Sequence, residues 1–359
     1  MQSEWGHALK LTVYGGSHEK ELGVRLCGLP SGTPVDLDAL QAFLNRRAPG
    51  SGVGSTTRKE SDRLIVRSGI INGCADGNTL EIAIENTNMD SKSYDAYRDV
   101  PRPSQIDLPA RLRFGEQTDL RGGGHFSGRM TAAYCIAGGI AMQALSMRGV
   151  EISAHLLSVG CASDRAFDPV CPELQAVKGK TFPVLDDAVG HAMMDIISAA
   201  KTDGDSIGGT IECAVTGFPA GHGTPLFDGV DSRLSALLFA VPAVRSVSFG
   251  SGSLSAQMKG SEHNDAYILR NGQIRTKANR HGGIIGGITT GMPILFTVAV
   301  KPAASISKPQ QTLRISTGEQ TELHIAGRHD ACIAVRAVPV IEAAAALALY
   351  DLLLEETVC

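Results

Sequence analysis

Apolar positions recur along this chain with two different spacings. Leu9 to Tyr14, Leu64 to Ile71, Thr79 to Ile84, Ile152 to Val159, Ile207 to Pro219 and Ile294 to Val300 alternate or run apolar over short lengths between Gly, Pro and Asn turns. That is the pattern of β-strands. Helical spacing follows Asp36, which is placed to cap a helix with Leu37, Leu40, Phe43 and Leu44 on one face. Asp186 to Thr202 predicts another helix, ended by Asp203-Gly204-Asp205. Met130 to Met147 and Val338 to Leu354 are apolar all round and predict helices buried on every side. An arginine stands before each, Arg129 and Arg336, behind a glycine- or histidine-bearing loop. This echo predicts one internally duplicated α+β fold over residues 1–359, two buried helices covered by sheets. The second apolar segment contains Pro339, Glu342 and Asp351, which suit a core helix better than a membrane span.

Composition adds exclusions. Hydrophobic residues at 43% and charged residues at 19% describe a globular chain, and a formal charge of −4 argues against general nucleic-acid affinity. Any basic site is therefore local. The start, Met1 to His7, has no cationic region followed by an apolar run, so a cytoplasmic location is expected. Eight cysteines without a CxxC pair are expected to be reduced core thiols, and no metal site is expected.

The candidate chemistry lies on the loops. Gly122-Gly123-Gly124 lie between Arg121 and Arg129 and lead into the first buried helix. Backbone N–H groups and a helix N-terminus there would seat an anion; a tight turn between packed elements is the competing reading. At about 4 Å and an effective dielectric near 20, each charge pair would attract by roughly 4 kcal/mol. Asn45 to Arg63 interleaves arginines with glycines and hydroxyls and reads as a cationic flap or a solvated loop. His18, in the break Gly15-Gly16-Ser17-His18-Glu19, is open to a packing or a proton-transfer role. No GxxxxGK[ST], HExxH or GxSxG motif is present. The remaining equipment suits binding a polyanion and moving protons.

Several blocks occur together in a known order. They are Gly-x-Ser-His at 15–18, Arg46-Arg47-x-Pro49-Gly50, Ser55-Thr56-x-Arg58-x-Glu60, Arg102-Pro103, Arg121 to Gly124 and Asp205-Ser206-x-Gly208-Gly209. Gly217-x-Pro219-x-Gly221, Phe227-Asp228, Gly282 to Ile288, Lys301-Pro302, Gly327-Arg328-His329-Asp330-x-Cys332 and Arg336 to Pro339 complete the set. From Leu11 to Leu354 the chain resembles the chorismate synthase family. The resemblance implies a helical layer sandwiched between antiparallel sheets and a homotetramer. It also implies anti-1,4-elimination of phosphate from 5-enolpyruvylshikimate 3-phosphate with reduced FMN.

Roles then follow by position. The resemblance assigns Arg47, Arg102, Arg129 and Ser17 to the substrate, His18 to protonation of the leaving phosphate, and Asp330 to assisted proton removal. His125, Phe126, Ser127, Pro242, Ala243, Gly286, Lys301, Pro302, Ala303, Ala304, Ser305 and Arg328 match flavin-contact segments. The pattern is broken at Gln105, where the family carries a second active-site histidine, and at Gly16, Glu19, Val53 and Ala331. Glutamine hydrogen-bonds but does not donate a proton reversibly near neutral pH, so the alternatives are a flavin- or anion-binding homologue with impaired or lost catalysis, or a lyase for another phosphorylated cyclic acid. Three other histidines, His125, His281 and His329, are candidates to cover that role.

Overall fold

The computed structural model describes residues 1–48, 50, 61–87, 97–325 and 329–355. In chain order the first half carries strands β1 (Gln2–Trp5), β2 (Lys10–Gly15) and β3 (Glu21–Cys27), helix α1 (Leu37–Arg47), β4 (Ile65–Ser68), β5 (Leu80–Glu85), α2 (Asp107–Phe114) and α3 (Thr131–Ser146). The second carries β6 (Glu151–Val159), β7 (Ala162–Ser163), α4 (Asp187–Thr202), β8 (Gly209–Thr216), α5 (Val230–Ala240), β9 (Val244–Phe249), β10 (Ile294–Val300) and α6 (Ala334–Glu355). Each half builds a five-stranded antiparallel sheet, in the orders β1-β2-β3-β5-β4 and β9-β10-β8-β6-β7.

The duplication is visible in this connectivity. The series β2, β3, α1, β4, β5, α3 and the series β6, β8, α5, β9, β10, α6 place equivalent strands as the same neighbours. α3 packs on β2 and β3, α6 packs on β6 and β8, and the two helices pack on each other between the sheets.

Small residues let them close up. A Cβ at Gly138 of α3 would stand 2.4 Å from the Ala343 side chain and 2.5 Å from its carbonyl oxygen. Asp36 caps α1 through hydrogen bonds from the Asp38 and Ala39 N–H groups, and Leu40 and Leu44 enter the core. The strand expected over Leu64 to Ile71 is interrupted at Gly69, whose φ of 85° and close approach to Leu80 admit no side chain.

α6 begins at Ala334, ahead of the expected Val338, so Arg336 lies inside its first turn and Pro339 inside the helix. It is the one helix among the described residues long and apolar enough to cross a membrane, and 94% of its most apolar window is buried between the sheets. Its two fully buried acidic groups are satisfied. Glu342 accepts a fork from Arg46 at 2.6 and 3.1 Å and the Ala154 N–H at 3.0 Å. Asp351 accepts the Leu9 N–H at 2.7 Å and that of His7 at 3.1 Å, tying the first sheet to the last helix. Burial would otherwise make such carboxylates costly. The thiols depart from expectation: Cys135, Cys213 and Cys332 are buried, but Cys27, Cys161 and Cys171 are exposed because they fall on loops and outward strand positions.

Candidate active site

Several of the expected residues lie at the heads of α3 and α6. Gly122, Gly123 and Gly124 all adopt positive φ, at 59°, 87° and 54°. Their first effect is close packing: a Cβ at Gly122 would meet His18 Cδ2 at 2.5 Å and Ser17 Oγ at 2.7 Å, and the Gly124 carbonyl accepts the Ser17 N–H at 3.1 Å. The glycine turn thus seats Ser17 and His18. The arginines that flank it part company. Arg121 forks onto Asp119 at 2.9 and 2.6 Å near the surface, while Arg129 is buried. Asp119 is held below the usual carboxylate range mainly by that Arg121 fork, with His18 adding to the effect.

Arg129 donates Nε to Asn86 Oδ1 at 2.9 Å and Nη1 to Asp62 Oδ1 at 2.5 Å. Arg47, at the end of α1, donates Nη1 to Asp62 Oδ2 at 3.3 Å, Nε to Thr131 Oγ1 at 3.0 Å and Nη2 to the Gly128 carbonyl at 2.9 Å. Burial first, then the charges of Arg336 and Arg129, push the Arg47 guanidinium down to about 10, so it remains a cation at neutral pH. Asp62, Asn86 and Thr131 escaped the sequence reading. Asp62 had one signal, its place near the end of the flap Asn45 to Arg63, whose Pro49 and residues 51–60, Val53 among them, lie outside the described residues.

Arg336 joins this group to a second one. Its Nε donates to the Arg47 carbonyl at 3.0 Å and its Nη1 to Asp330 Oδ2 at 2.5 Å. His329, next in the chain, has an imidazole lowered by burial and by the Arg102 guanidinium, and its buried Nε2 has no hydrogen-bond partner among the described residues. Arg102 is buried and forks onto Asp107 at 2.7 Å through both Nε and Nη2. Gln105 Nε2 donates to Ser305 Oγ at 3.2 Å, and Lys301 Nζ to the Ser104 carbonyl at 2.8 Å, so the loops 102–105 and 301–305 are held together.

The Lys301 N–H donates to the carbonyl of Ala243, which follows Pro242 and adopts a φ of 75°. Carbonyls of Ala303 and Ala304 accept from Ser206 and Gln310, and Pro302 packs beside Gly208. Burial and the neighbouring Arg245 lower the Lys301 ammonium, and among the described residues neither cation has a carboxylate partner.

Other expected residues contribute less, or lie apart. His125 has both ring nitrogens engaged, with the Gly15 carbonyl at 2.8 Å and Ser3 Oγ at 2.9 Å, and Phe126 packs on Phe114. Ser127 Oγ caps the turn into α3 by accepting the Arg129 N–H. Gly286 sits on the hairpin Ile284–Thr289, which packs against Thr224 and Gly229. Arg328 lies outside the described residues. His281 is directed to Asp265 and Gly283, which leaves His329 as the candidate histidine beside Arg102 and Asp330.

Two departures from the family pattern meet in space. Glu19 Oε1 lies 3.0 Å from where a Cβ at Gly16 would stand, so the carboxylate moved by three positions in the sequence folds back over the position it left.

Comparison with known proteins agrees with this geometry. The profile of the chorismate synthase family matches residues 9–354. A chorismate synthase from Lancefieldella parvula is 41% identical, over 98% of this chain and 96% of its own length. One from Thermococcus gammatolerans is 40% identical over 97% of each. A crystal structure of a chorismate synthase superposes with a TM-score of 0.78 over 98% of this chain and 93% of its own, at 24% identity, which speaks to the fold. With the family profile spanning nearly every residue and relatives about 40% identical along almost the whole length, the chain belongs to the chorismate synthase family.

Proposed function

We propose that this lyase eliminates phosphate from 5-enolpyruvylshikimate 3-phosphate to give chorismate, with reduced FMN as cofactor. The observation that carries the reading is the pair Arg47 and Arg129 sharing one buried carboxylate beside the turn that holds His18. A phosphate with two carboxylates needs several fixed cations, and guanidinium forks suit both groups. Arg47, Arg129 and Ser17 would receive the substrate, with Arg102 on the opposite loop. His18 would donate the proton to the leaving phosphate, a role that suits an imidazole. Asp330, oriented by Arg336, would assist removal of the ring proton.

The loops fit a flavin on one count independent of the resemblance. Lys301 and Arg245 form a cationic spot that no carboxylate of the described residues neutralises, beside the strained Ala243 backbone. Pro242, Ala243 and Lys301 to Ser305 would hold the cofactor, with His125 to Ser127 along its other edge. Reduced FMN, when bound, supplies electron density transiently and accepts the departing proton. His329, adjacent to Asp330 and Arg102, is the group placed to take over the duty of the histidine that Gln105 replaces. Leu226 and Phe227, and Tyr267, Leu269 and Ile274 on a separate hairpin, are exposed apolar side chains that support self-association as a tetramer.

The test is phosphate release from the substrate by the purified protein with reduced FMN under anaerobic conditions. Release with chorismate formed in equal amount supports the reading. Flavin binding without any release would favour the binding homologue.

A further inference from the structure

Asn86 follows directly on β5 and is buried. Its backbone N–H donates to the Lys20 carbonyl at 3.0 Å, extending by one residue the ladder in which β3 and β5 pair Glu21 with Glu85. The side-chain amide then reaches across the turn between β2 and β3. Its Nδ2 donates to the carbonyls of Gly16 at 3.0 Å and Glu19 at 2.7 Å, one on each side of the Ser17-His18 pair. On its other edge Oδ1 accepts the Arg129 Nε–H at 2.9 Å. The amide fits only one way round, because turned over it would set its oxygen against two carbonyls and its NH2 group against a guanidinium. The far side of the turn is held as well: the Gly124 carbonyl accepts the Ser17 N–H at 3.1 Å, and Gly122 has no room for a Cβ beside the His18 ring. One planar group thus ties the histidine turn to a buried arginine at the head of α3.

We propose that Asn86 is a positioning residue for the proton donor: its amide holds the turn carrying His18 against the Arg129 guanidinium, so that imidazole and cation meet the departing phosphate as one unit. This rests on the elimination, and on the roles of His18 and Arg129, proposed above. It adds a residue that acts through those two groups and gives up no proton itself. An amide does not ionise near neutral pH, so the tie keeps its geometry while the imidazole changes charge.

The test is steady-state kinetics with reduced FMN and 5-enolpyruvylshikimate 3-phosphate under anaerobic conditions. Asn86→Ala releases both carbonyls of the turn, while Asp62 still holds Arg129. It should lower kcat about tenfold to hundredfold, the cost of displacing a reacting group by about 1 Å, and change KM by no more than about threefold. A purely structural tie would lower the melting temperature and leave kcat of the folded protein within about threefold; that result overturns the proposal, as does a rise in KM as large as the fall in kcat or larger. If Asn86→Ala does not fold, Asn86→Asp keeps the volume and the acceptor for Arg129 but neither donor, and is judged on kcat at saturating substrate by the same threshold. An unaltered protein that releases no phosphate sinks the elimination, and the positioning is then decided by NMR of the histidine side chains of the flavin-free protein with added inorganic phosphate. The His18 signal, identified by its loss in His18→Ala, should shift in the unaltered protein and stay still in the Asn86 variant. Any other pattern overturns the proposal.

Discussion

The two halves of the duplicated fold place an arginine at the head of equivalent helices and use it differently. In the first half Arg129 is buried, shares Asp62 with Arg47, and faces the His18 turn through Asn86. In the second, Arg336 pairs with Asp330 and ties the Arg47 carbonyl, while nearby Lys301 and Arg245 have no carboxylate among the described residues. In the first head the guanidinium nitrogens are held by protein acceptors, Asp62, Asn86, Thr131 and the Gly128 carbonyl. The second leaves positive charge for a ligand to neutralise. We read the contrast as a division of labour between substrate phosphate and the anionic end of the flavin.

The largest effect expected from breaking it lies in the first half. His18→Ala should lower kcat by about 10²–10⁴ while leaving FMN affinity unchanged, the loss typical of a general acid. An equal loss of FMN affinity, read by flavin absorbance, would erase the contrast. In the second half, Lys301→Ala should weaken FMN binding by about tenfold to a hundredfold, on the scale of a charge-assisted contact of roughly 1.5–3 kcal/mol, with substrate affinity nearly unchanged. Gln105→His restores a proton donor beside Ser305 and should raise the turnover number about tenfold; no gain would mean that His329 already covers the task.

Gly138→Ala pushes the two helices apart and should cost about 1–3 kcal/mol in denaturant unfolding. The smallest effect concerns pH. A bound anion favours the charged ammonium, and Lys301 loses its proton below the ordinary lysine value, so FMN affinity should fall as pH rises through that lowered value. The dependence should disappear in Lys301→Ala.

Much of this was legible in the residues. The strand Ile294 to Val300 and the helix ending at Thr202 coincide with their periodic segments, and the two arginine-headed helices betrayed the duplication. α6 was harder because Pro339 marks a break in sequence terms. An interior proline costs about 3 kcal/mol, and burial of nearly the whole helix between both sheets offsets it. Asp62 was hidden for a different reason. Its partners stand 15 and 67 positions away, a distance no local pattern encodes, and its neighbourhood is dominated by arginines. The exchange of Gly16 and Glu19 reads as two losses along the chain and as one carboxylate retained in space.

The central claim is the split between the two heads, and a crystal structure with both FMN and substrate bound tests it most directly. The account predicts the substrate phosphate in hydrogen-bond contact with Arg47 or Arg129, and the flavin phosphate nearest Lys301 and Arg245. A substrate phosphate seated on Lys301, or a flavin phosphate between Arg47 and Arg129, would contradict it.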